Sequence, residues 1–216
     1  MRLTAGENPV GESPQGITEA DAARARDGGG TLSPIAFWYL RHGETDWNAQ
    51  GLSQGNVDIP LNPTGIAQAR AATQHLRNRG IASIVSSPLS RARVTAEIAA
   101  EALGLPVMLD ADLREVAWGA QEGQPMAGSW FADWVAGTAE PSGAESFAAL
   151  RRRAIAAVNR ALTRPPVVLV VAHGGLFRTL RAAMGLEANL RTRNAVPMWC
   201  APPTPGQSAW TVSYAE

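Results

Sequence analysis

Residues 167–172 read Val-Val-Leu-Val-Val-Ala, an apolar run with no polar residue at any second position. A strand with one face in water alternates. This one does not, so it must be covered on both faces, as in the centre of a sheet with helices on either side. The run stops at His173-Gly174-Gly175. A second such run, residues 35–40 (Ile-Ala-Phe-Trp-Tyr-Leu), stops at Arg41-His42-Gly43. Two apolar strands that each end in a histidine and a glycine place the same chemistry at the same edge of a sheet.

The rest of the chain fits an α/β layering. Residues 64–80 read as a helix, with Thr64 as N-cap and Gly80 past its end. Residues 81–85 read as a strand. Residues 87–104 read as a helix capped by Ser87, with Pro88 in its first position and Gly104 closing it. A short strand follows at 106–109, then a long helix at 143–162 and another at 175–185. Segments 196–200 and 209–215 read as closing strands joined across a Pro/Gly loop. Residues 1–34 have no aromatic residue and contain Gly-Gly-Gly at 28–30; they are expected to be a poorly ordered extension, with a short helix within 17–26. The remaining 35–216 are expected to form one domain.

Composition narrows the chemistry. Positive and negative residues balance at 19 each, so a general attraction to nucleic acid or anionic lipid is not expected. All 19 cations are arginine. That removes a Schiff-base lysine and a P-loop lysine, and leaves arginine, whose planar fork suits phosphate oxygens. One cysteine, Cys200, and three histidines give no disulfide framework and no cysteine-rich metal centre. Cys200 is expected to be a small core residue. There is no membrane-length apolar run and no signal-type start, so a cytoplasmic location is expected.

In open α/β sheets ligands bind beyond the carboxyl ends of the strands. There the sequence places Arg41, His42, His173 and, in the first turn of the helix after the second strand, Arg91. Gly43, Gly174 and Gly175 would let backbone approach a ligand, and the helix start near Gly175 would favour an anion. Such a pocket suits a phosphoryl group: arginines neutralise its oxygens, and a neutral imidazole can attack phosphorus. Glu115, in a loop between Leu113 and Val116, is the candidate proton donor for the leaving oxygen. Glu44 is a rival acid, better suited to orienting its loop, and Arg93 competes with Arg91. His75 and Arg151–Arg153 are expected on solvated helix faces.

The segments at 40–48 (LRHGETDWN), 56–69 (NVDIPLNPTGIAQA), 86–97 (SSPLSRARVTAE), 113–123 (LREVAWGAQEG), 143–146 (GAES) and 171–180 (VAHGGLFRTL) resemble, in order, the signatures of the histidine phosphatase superfamily, the phosphoglycerate-mutase-like group. The resemblance implies a three-layer sandwich with a mostly parallel central sheet. It implies His42 as a nucleophile that becomes phosphohistidine, and Arg41, Arg91, His173, Asn48 and Gly174 as the phosphate pocket. Glu115 would protonate the leaving group and then help activate water. No metal or organic cofactor is implied; the partner is a small phosphorylated substrate.

The family holds phosphatases and mutases. In it, the stretch at 116–146 is usually a lid over the substrate. Here it contains no basic residue but does contain Trp118, Trp130, Phe131 and Trp134. A lid without basic residues favours a phosphomonoesterase acting on a single phosphate with a neutral or apolar leaving group. The alternatives are a phosphoglycerate mutase, or a catalytically silent domain that binds a phospho-ligand.

Overall fold

The sheet is read most directly from its register. In the computed structural model, which describes residues 30–215, strand β1 (Phe37–Arg41) lies parallel to β4 (Val168–Ala172), with Arg41 opposite Ala172. Strand β2 (Ser83–Ser86) lies parallel on the other side of β4, with Ser86 opposite Val171. Short β3 (Val107–Leu109) pairs parallel with β2. Antiparallel β5 (Met198–Ala201) and β6 (Thr211–Tyr214) extend the sheet beyond β1, giving the order β3-β2-β4-β1-β5-β6. β4 is buried along its whole length, as its composition requires.

Alternate side chains of each central strand enter opposite layers. Phe37, Tyr39, Val168 and Val170 pack with helices α5 (Phe147–Leu162) and α6 (Gly174–Ala183). Trp38, Leu40, Leu169 and Val171 pack with α2 (Pro63–Leu76) and α3 (Ser90–Leu103). Two layers of helix around a mostly parallel sheet give the expected three-layer sandwich. Two shorter helices complete the described fold: α1 (Asp46–Ala49) after β1, and α4 (Trp130–Ala136) within the 116–146 stretch. Among the described residues no helix is long and apolar enough to cross a membrane.

Several boundaries move for local reasons. Asn62, not Thr64, caps α2: its side chain accepts the Gly65 N–H, and Pro63 takes the first helical position, where a missing N–H costs nothing. Helix α3 starts at Ser90 without a side-chain cap; the Ser87 hydroxyl accepts the Leu89 N–H at 3.3 Å and meets His173 Nε2 at 2.8 Å. Helix α5 starts at Phe147, capped by Ser146. Most of the predicted extension, including the helix expected within 17–26, lies outside the described residues. Its last residues do not behave as an extension: Leu32 and Ser33 are buried, and Asn159 of α5 accepts from the Ser33 N–H while donating to the Thr31 carbonyl.

Candidate active site

The parallel register brings the predicted residues together. His42 follows Arg41, its N–H donating to the Ala172 carbonyl, so the ladder runs one residue past each strand. Ser87 does the same toward Val171. His42, His173 and Ser87 therefore stand side by side at one sheet edge, the two imidazoles 5.3 Å apart between ring centres. Above them lies a cavity of about 390 Å³ bordered by Arg41, His42, Asn48, Arg91, Glu115 and Gly174, among others.

His42 is 2% exposed, and its Nδ1 lies 2.7 Å from the Gly43 carbonyl. A carbonyl only accepts, so Nδ1 carries the proton and Nε2 keeps the lone pair in the neutral ring. Burial, then the fields of Arg91 and Arg41, push its pKa well below the ordinary histidine range. The ring is thus held neutral, with a free nitrogen.

His173 is fully buried beside it and does not itself border the cavity. The Tyr39 hydroxyl donates to its carbonyl at 2.8 Å and accepts its N–H, fixing the backbone, while Ser87 Oγ meets Nε2 at 2.8 Å. Its Nδ1 is buried without a partner. Burial, then Arg91 and His42, lowers its pKa strongly as well.

The arginines are pinned through one part of the guanidinium. Arg41 Nη1 donates to the Thr192 carbonyl at 2.6 Å; Arg91 donates to the Val57 and Gly55 carbonyls at 2.9 and 2.7 Å. The Nε atoms of both are buried without partners. Burial brings each down to about 10, with Glu115 opposing the shift, so both remain charged near neutral pH. Arg93 instead forms an exposed ion pair with Glu97. That leaves Arg91 as the site arginine.

Glu115 sits on the first turn of α6. Its carboxylate accepts from the N–H groups of Gly175, Leu176 and Val116 at 2.9, 2.9 and 3.0 Å. The anion at this helix start is therefore the Glu115 side chain, which corrects the expectation that these N–H groups are free for a ligand. The glycines are corrected similarly. A Cβ on Gly175 would stand 2.7 Å from Glu115 Oε1, and one on Gly43 would stand 2.3 Å from the Gly65 carbonyl oxygen. They make room for protein atoms.

Asn48 Oδ1 accepts from Asn194 and from the Thr45 N–H in a capping box. Asn48 borders the cavity with its amide oxygen already engaged. Glu44 lies off the cavity, accepting from Asn62, in keeping with a loop-orienting role. Of the four predicted lid aromatics, Trp118 and Phe131 border the cavity. Trp130 and Trp134 pack behind them; Trp134 is fully buried and donates to the Glu145 carbonyl. Cys200 is buried in the core, and His75 is half-buried on α2.

Sequence reasoning missed four residues here. Arg153, expected in solvent, grips the Glu145 carboxylate at 3.0 and 2.6 Å and donates to the carbonyls of Asp112, Arg114 and Glu115, clamping the loop that carries Glu115. Thr95 donates to the Arg91 carbonyl and accepts the Gly43 N–H, linking the two motifs. Arg178 and Arg191 also border the cavity. Arg178 was legible in principle: it follows Gly174 by four residues, hence on the same helix face.

Comparison with known proteins gives the family and the fold. The profile of the histidine phosphatase superfamily (branch 1) matches residues 37–200. Over 176 aligned residues the chain is 40% identical to the probable phosphoglycerate mutase GpmB of Yersinia pestis (strain Pestoides F), covering 74% of this chain and 81% of that relative. A mycobacterial glucosyl-3-phosphoglycerate phosphatase, solved with VO3, is similar at TM-score 0.72 and 32% identity, covering 82% of this chain and 97% of that one. The structure described as mycobacterial hydrolase 1 is similar at TM-score 0.72 and 32% identity, covering 83% and 97%. The chain belongs to the histidine phosphatase superfamily and has its phosphoglycerate-mutase-like fold.

Proposed function

We propose that the chain is a phosphomonoesterase that works through a phosphohistidine on His42, without a metal ion. One observation carries the reading: a neutral imidazole with an unshared Nε2 pair stands on the cavity beside buried donors that lack protein acceptors, the Nε of Arg41 and of Arg91. Buried donors of this kind are costly unless an acceptor meets them, and phosphoryl oxygens are such acceptors.

In the proposed reaction Nε2 of His42 attacks phosphorus, the phosphorus–oxygen bond to the leaving group breaks, and the leaving oxygen takes a proton from solvent relayed by the Glu115 carboxylate, whose oxygens already accept three N–H bonds. Water then attacks the phosphohistidine, losing a proton to Glu115, and His42 is restored with release of phosphate. Arg41 and Arg91 hold the equatorial oxygens, where charge is spread during transfer. The mutase reading has one specific observation in its favour, the additional cations Arg178 and Arg191 on the cavity. Against it, the stretch at 116–146 supplies none.

Phosphate release from a panel of phosphomonoesters, with EDTA present, tests the proposal beside His42→Ala. Release by the wild type alone is the expected result. Equal release by the variant contradicts the role of His42, and release only after bisphosphoglycerate priming favours the mutase.

A further inference from the structure

Arg91 is aimed by a loop rather than by a strand. The carbonyls that pin its guanidinium, those of Gly55 and Val57, belong to residues 54–58, which lie in neither helix nor strand. The backbone closes a turn there, with the Val57 N–H donating to the Gln54 carbonyl. A connecting loop moves more readily than a strand, and an arginine hung from it moves with it. The loop therefore needs holds from outside itself.

Two carboxylates supply them. Asp58 accepts the Ser90 N–H at 2.7 Å, where α3 begins. The second hold is Glu122. One oxygen, Oε1, accepts the Asn56 N–H at 3.0 Å and the Trp118 N–H at 3.2 Å. Asn56 stands between the two residues that pin Arg91, and Trp118 borders the cavity. Gly55 makes room for this oxygen: a Cβ there would collide with Oε1, and its φ of +55° suits glycine. The chain carrying Glu122 is itself tied to the residues before the loop. The Ser53 N–H donates to the Gln124 carbonyl, the Gly123 N–H to the Ser53 carbonyl, and the Met126 N–H to the Gly51 carbonyl. The field of Glu122 also favours the charged form of Arg91. Glu122 itself does not border the cavity.

We propose that Glu122 is a positioning residue for phosphoryl transfer: it holds Arg91 on the transferring oxygens by fixing the loop from which that arginine hangs. This rests on the phosphomonoester reading above. Charge spreads onto those oxygens during transfer, so an arginine held in place matters more to the transition state than to the bound substrate.

The test uses the full chain and has a kinetic and a binding arm. Glu122→Ala is expected to lower kcat by about tenfold or more with KM within about threefold of wild type. Glu122→Gln, which keeps an acceptor oxygen, is expected to restore most of that loss. In isothermal titration Glu122→Ala is expected to weaken orthovanadate, which adopts the five-coordinate geometry of transfer, by about tenfold or more, and inorganic phosphate by much less. Where Ala lowers the unfolding midpoint, Glu122→Asp carries the test, because its oxygen falls short of the two N–H groups; it is expected to show the same vanadate loss. A rise in KM at constant kcat places Glu122 with Trp118 and the mouth, and overturns the proposal. Equal loss of vanadate and phosphate binding overturns it too, as does a Gln variant no better than Ala. Selective vanadate loss without phosphate release by the wild type leaves the link to Arg91 standing and refutes the hydrolase reading instead.

Discussion

The floor of the cavity stands on strand ends, whereas its mouth is assembled from segments with no strand in them. On the floor, His42 and Ser87 continue the β1–β4–β2 ladder by one residue, and Tyr39 locks His173 from within the sheet. At the mouth, Trp118 precedes a turn of 3-10 helix, Phe131 sits on the short α4, and Arg191 lies in a loop. The difference teaches a division of labour. Attack on phosphorus tolerates little misplacement, so its groups are set by backbone hydrogen bonds. Substrate choice needs only complementary surface, which short elements can vary.

The comparison breaks most visibly at Arg153, which lies outside the cavity yet clamps the Glu115 loop. Arg153→Gln is expected to lower kcat by about a hundredfold with little change in KM, the result of a displaced acid rather than lost binding. A rise in KM at constant kcat would place Arg153 with the mouth. The two layers of the lid separate next. Trp134→Ala removes a fully buried ring and is expected to cost about 3–5 kcal/mol, read by denaturant unfolding. Phe131→Ala, by contrast, is expected to raise KM severalfold while leaving the unfolding midpoint nearly unchanged. If both act alike, the lid has no inner and outer layer.

The smallest effect concerns pH. Both floor histidines have lowered pKa values from burial and nearby cations, so their NMR titration midpoints are expected well below 6.5. The unfolded chain takes up those protons first. Stability from these two groups is therefore full above about pH 6.5 and declines as pH falls toward the folded values. A midpoint at or above 6.5 for His42 would contradict its description as a neutral nucleophile.

The strands and the residues at their ends were legible because a doubly covered strand can be written only with apolar residues, and because a break to Arg-His-Gly or His-Gly-Gly is conspicuous. The caps were less so. Ser87-Pro88 has the composition of a helix start, but the Ser87 hydroxyl serves the Leu89 N–H and His173 together, and the helix begins only at Ser90. Arg153 was misread for a related reason. On the helix it is one of three adjacent arginines, and only folding decides that Arg152 is exposed while Arg153 meets Glu145. Arg191 lies 150 residues from Arg41 in sequence, brought near by the Thr192 carbonyl, a backbone contact that no side-chain pattern encodes.

The measurement closest to the central claim is a rapid acid or base quench of the protein turning over a phosphomonoester, followed by peptide mass spectrometry under conditions that preserve phosphohistidine. A phosphoryl adduct on His42, absent from His42→Ala, is the expected result. Steady turnover with no adduct, or an adduct on another residue, would contradict a phosphohistidine mechanism at this site.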